Sequence, residues 1–97
     1  LIIIEHNGYL GLSEKLTVPY FPDFCIDGQS YFFGASAAAF VDLAHQKGYS
    51  FIVNIEQNLF FLSNKHLPSG FKEPIVDQSY MTQRPPRFLV SEFQEIP

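Results

Sequence analysis

Apolar residues follow a rule in some stretches of the chain and none in others. Leu1 to Ile4 is an unbroken apolar run that ends in polar Glu5, His6 and Asn7, and Gly8 breaks it. A run of this kind bounded by turn signals predicts a strand buried on both faces, as in the middle of an α/β sheet. In "GASAAAFVDLAHQKG" the period changes. Ala37, Phe40, Val41 and Ala44 fall on one helical face, Leu43 widens that stripe, and Asp42, His45, Gln46 and Lys47 lie outside it. Ser36, or the Gly34-Ala35 pair, can cap the start. Lys47 suits the negative end of the helix dipole, and Gly48 the left-handed residue that closes a helix. The pattern predicts a helix from about Ser36 to Lys47. "YSFIVNI" and "LFFLSN" follow, rich in β-branched and aromatic residues. So little separates them, roughly Glu56 to Asn58, that they predict an antiparallel hairpin.

Elsewhere the pattern is irregular. Gly8 to Phe33 has no clean period, and Pro19 and Pro22 exclude a helix or central strand there, although "KLTV" suits a short edge strand. Tyr20, Phe21, Phe24, Tyr31, Phe32 and Phe33 are too many large rings to leave in water, so this loop is expected to fold onto the body or a partner. "KHLPSGF" reads as a turn or a single helical turn. The remainder is Pro-punctuated, with Pro85-Pro86 as a stiff spacer and "RFLVSEF" as a possible late strand.

The order is buried strand, long loop, helix, strand, tight turn, strand. A helix between two strands normally makes a parallel crossover. The expected fold class is therefore α/β: a small mixed sheet with a terminal antiparallel hairpin and one main helix. The expected strands are Leu1–His6, Ser50–Ile55 and Leu59–Ser63, the third antiparallel to the second and to the first as well. One helix covers one face, which leaves the other to be buried by the tail, through Phe88, Leu89, Val90 and Phe93, or by a second copy.

Composition narrows the partners. The net charge of −4 and scattered bases argue against nucleic acid and anionic membrane surfaces. Cys25 is the only cysteine, so there is no internal disulfide and no thiolate metal cage. A reducing, cytoplasmic setting is expected. No run is long enough to span a membrane. The chain starts inside an apolar run without an initiating Met, which suggests a longer parent.

Several residues are candidates for chemistry. Glu5, His6 and Asn7 sit where open α/β sheets place ligands, at the carboxyl end of a strand. Glu5 or His6 can act as a general base there; equally, all three can simply tie down the following loop. Ser36 and Gly34 can hold an anion through free backbone N–H groups, or serve as a plain cap. Asn58 suits turn geometry. Tyr20 and its neighbours form a lid or a satellite apolar cluster. His6, His45 and His66 lack metal-ligand spacing, and Cys25 has no nearby base in sequence.

Taken in order, Ile4-Glu5-His6-Asn7, Val18-Pro19-Tyr20, Phe33-Gly34-Ala35-Ser36, Lys47-Gly48-Tyr49 and Asn58-Leu59-Phe60-Phe61-Leu62 resemble the C-terminal half of FkbM-like methyltransferase proteins. Those proteins are Rossmann-like and use S-adenosylmethionine (SAM), and their last strand inserts antiparallel between the two before it. The resemblance runs to Leu67 and leaves 68–97 as a C-terminal extension. His6 departs from it, where Tyr is usual, and so does the doubled aromatic Phe32-Phe33. It implies that Glu5, His6, Asn7, Tyr20, Ser36 and Asn58 lie on the acceptor side. It implies in-line methyl transfer helped mainly by positioning, with SAM as cofactor of the whole protein. The glycine-rich turn that would hold SAM is not in this chain: "GYLG" spaces its glycines differently and opens no helix. This segment is therefore expected to be inactive alone and to need a preceding SAM-binding half. The rival expectation is a non-catalytic, homodimeric interaction module.

Overall fold

The computed structural model describes residues 1–17, 34–79 and 93–96. In chain order the elements are β1 (Ile2–Glu5), β2 (Leu16–Thr17), α1 (Ala37–Gln46), β3 (Tyr49–Ile55), β4 (Asn58–Ser63) and β5 (Gln94–Glu95). Short 3-10 turns, Gly8–Leu10 and Asn64–His66, follow β1 and β4. β1, β4 and β3 form one sheet in that order, and β4 is antiparallel to both neighbours. β1 and β3 therefore run parallel to each other, with α1 in the connection between them. This is a small mixed α/β fold, and every adjacent pair in it is antiparallel.

The helix forms where its caps are. Ser36 is the N-cap, and its hydroxyl accepts from the Ala39 N–H at 3.2 Å. At the other end Gly48 takes φ +81, a left-handed conformation that glycine enters without a Cβ clash. α1 lays Ala37, Phe40, Val41 and Ala44 on the sheet, where Phe51, Leu59 and Phe61 make the buried core. Phe51 and Phe61 meet edge to face, their centroids 6.0 Å apart. Leu43, expected to widen the buried stripe, is exposed instead, at the rim of an open apolar pocket of about 200 Å³ that it shares with Ile2, Phe40 and Lys47.

β1 departs from expectation. Its unbroken apolar run reads as a doubly buried strand, yet Leu1, Ile2 and Ile3 are exposed. The cause is position: β1 is the end strand of the sheet, and α1 packs mainly over β3. The register puts Ile3, Phe60 and Val53 side by side on the face away from α1, with Ile55 opposite Asn58. On that face Ile3 is 56% exposed, Val53 49% and Ile55 60%.

The C-terminal extension folds back in two places. β5 pairs antiparallel with β2, and Phe93 packs with Leu10 and Leu16 in a second small cluster. Phe93 thus packs on the β2 region rather than on the sheet face away from α1. Glu73 and Asp77 attach their segment to β3, and Val76 between them enters the main core. Tyr20, Cys25, the loop aromatics, Phe88, Leu89, Val90 and the Pro85-Pro86 spacer fall outside the described residues.

Candidate functional site

The carboxyl ends of β1 and β3 meet at the hairpin turn, and the candidates collect there. Glu56 and Gln57 form the turn, Ile55 pairs with Asn58 across it, and Asn58 pairs with Glu5 on its other side. Glu56 is held at φ +50, in the left-handed region, and its carbonyl accepts from the Asn54 amide at 3.0 Å. Glu5 and Asn58 are exposed. Being paired in register, they stand together on the face away from α1.

His6 lies beside them and is fully buried. Its backbone N–H donates to the Gln57 carbonyl at 2.9 Å, and its ring Nδ1 lies 2.8 Å from the same oxygen. A carbonyl only accepts, so Nδ1 carries the proton in the neutral ring and the lone pair is on Nε2. Burial pushes the imidazole pKa below its ordinary value; the bond to Gln57 and the Glu5 carboxylate oppose this more weakly. At neutral pH His6 is an uncharged clamp that ties the end of β1 to the hairpin turn. A Tyr in its place would have no ring N–H to offer at this distance.

Asn7 and Ser36 sit together a step further in. The Asn7 N–H donates to the Ala35 carbonyl at 2.8 Å, and its side-chain oxygen accepts from the Tyr9 N–H at 3.0 Å. Ser36 is buried, and its hydroxyl donates to the Glu14 carbonyl at 2.7 Å while accepting from Leu16 at 3.0 Å and from Ala39. One donor and two acceptor positions are filled, so the hydroxyl has no capacity left for a ligand. Ser36 joins the helix start to β2, and Asn7 caps the 3-10 turn; both hold the frame of the site.

The structure therefore brings Glu5, His6 and Asn58 into one cluster and makes Asn7 and Ser36 its supports; Tyr20 lies outside the described residues. Three contributors were hidden in the sequence. The Gln57 carbonyl is backbone and leaves no compositional mark. Gln78 reaches back to the Gly8 carbonyl at 3.1 Å, and Asn54 ties the turn to Asp77. Glu5 supplies an exposed acceptor, Asn58 an amide that can orient a hydroxyl or amine, and His6 a fixed neutral ring behind them. Among the described residues no glycine-rich turn joins a strand to a helix, and the hydroxyl at the start of α1 is fully used. Among the described residues no group of His, Cys, Asp and Glu could hold a metal ion, and no helix is long and apolar enough to cross a membrane.

Comparison of the chain with protein-family models, with curated proteins and with solved structures finds no match.

Proposed function

We propose that this chain is the acceptor-side, C-terminal segment of a SAM-dependent, FkbM-like methyltransferase protein. The observation that supports the reading is the placement of β4, antiparallel between two parallel strands whose connection contains α1. That is the order in which Rossmann-like methyltransferases finish their sheet. In such sheets ligands bind beyond the carboxyl ends of the parallel strands, where Glu5, His6 and Asn58 collect. Glu5 and Asn58 would face the methyl acceptor, and SAM would be held by a preceding half of the parent protein. A cytoplasmic setting fits the single cysteine.

The test is to read the source DNA upstream of Leu1 and express the full open reading frame. Titration calorimetry is then run with SAM on the full protein and on the 97-residue chain. Binding by the full protein alone is the expected result. A full reading frame that encodes no strand and glycine-rich turn before Leu1, or a full protein that does not bind SAM, removes the reading.

A second reading has its own observation. The exposed Ile3, Val53 and Ile55 on one face favour a non-catalytic module that pairs with a second copy of itself. Light scattering on the purified chain separates a monomer from a dimer.

A further inference from the structure

The two edges of the three-stranded sheet are treated differently. β1 is one end strand, and among the described residues no strand pairs with its outer edge. The outer edge of β3 is covered by residues 73–77, which belong to no strand and make no backbone-to-backbone bond to it among the described residues. The bonds that cross this seam come from side chains. The Phe51 N–H, which points away from β4, donates to the Glu73 carboxylate at 2.8 Å. Further along, the Asn54 amide stands in for a partner strand. Its Nδ2 donates to the Asp77 carbonyl at 2.7 Å, and its Oδ1 accepts from the Asp77 N–H at 2.8 Å. Glu73 is held from the helix side as well, with His45 Nε2 2.8 Å from both carboxylate oxygens. A register shift between Phe51 and Val53 lies between the two attachments and breaks the regular spacing an incoming strand would need.

We propose that residues 73–77 are a releasable strap that guards the β3 edge. Glu73 and Asn54 are its latches, and their loss opens that edge to pairing with a second copy of the chain. An uncovered strand edge is a template for another strand, and charged or irregular cover is how folded chains block it. Apart from its latches the strap is embedded through one side chain. Val76 is its buried anchor, while Ile75 is 84% exposed. Between the strap and the first half of α1 lies a cavity of about 270 Å³ bounded by Ala37, Ala38, Val41 and Pro74. A loosely packed segment held by a few side-chain bonds opens more readily than the sheet it covers. While latched, it leaves β1 as the edge at which the sheet can be extended.

Amide hydrogen exchange read residue by residue tests this. In the unaltered chain the Phe51 amide is expected to be protected although it faces outward on an end strand. In Asn54→Ala/Glu73→Ala its exchange is expected to speed up at least tenfold, while the Leu59 amide in the central strand stays protected and reports an intact fold. Asn54→Ala alone leaves the Lys72–Glu73 bond unchanged, and trypsin is expected to cut there several-fold faster. By sedimentation velocity the double variant is expected to self-associate at least tenfold more strongly than the unaltered chain. A Phe51 amide that exchanges freely in the unaltered chain overturns the proposal. So does unchanged protection in the double variant, or an opened edge with no added association.

Discussion

Ser36 and His6 each hold two pieces of chain together with one side chain, and each has a measurable consequence. Ser36 spends its hydroxyl on the helix cap, on the Leu16 N–H and on the Glu14 carbonyl. Ser36→Ala removes a cap and strands a buried donor at Leu16, so a loss of about 2–4 kcal/mol is expected in urea denaturation. For His6 the sign follows from burial. Its folded pKa lies below the unfolded value of 6.5. Above that value the ring is neutral in both states and stability is flat. As pH falls below it the unfolded chain takes up a proton that the folded chain refuses, so stability declines until the folded pKa is passed. Denaturation midpoints between pH 8 and roughly 5 should show this decline. His6→Gln should flatten it, and a slope unchanged in the variant would rule out His6 as its source.

At the scale of elements, the parts readable in the sequence are those set by near neighbours. Ser36 and Gly48 bracket α1 because capping is decided within a turn of the helix, and the brevity of the Glu56–Asn58 link fixes the hairpin. Of the expected "KLTV" edge strand, Leu16–Thr17 form β2. The strand-end cluster was legible through Glu5, His6 and Asn58, because polar residues that end an apolar run mark a strand terminus. The burial of β1 was not, since an Ile run reads alike at the centre and at the end of a sheet. Nor was the strap, whose bonds join Glu73 to Phe51 and Asp77 to Asn54 across long stretches of chain. The hairpin carries a test of its own. Glu56 is forced to φ +50, which an L side chain tolerates poorly and Asn tolerates better. Glu56→Asn is expected to stabilise the chain by about 0.5–1 kcal/mol, read as a raised thermal midpoint. Phe61→Ala acts the other way, since it empties the space against Phe51 beneath α1, and a loss of about 3–5 kcal/mol is expected.

At the scale of the molecule the question is what the face away from α1 meets. Its register row of Ile3, Phe60 and Val53, with Ile55 nearby, is apolar, and neither α1 nor the Phe93 cluster covers it. The two functional readings treat this face differently. In an acceptor-side segment it is the surface that the rest of a longer protein packs against; in a self-pairing module it is the interface itself. Val53→Lys/Ile55→Lys separates them, because both side chains are already about half exposed and their replacement should shift stability by only about 0.5 kcal/mol each. Two copies meeting through this face would bring the new ammonium groups of both protomers into one dry contact, which is strongly unfavourable. If the unaltered chain is a dimer by light scattering and the variant a monomer with an unchanged thermal midpoint, the face is the self-pairing interface. If both are monomers, the module reading fails, and the apolar face is left for a segment of the parent protein to cover. A dimer that survives both lysines must pair elsewhere, and the outer edge of β1 is then the place to put the next charge.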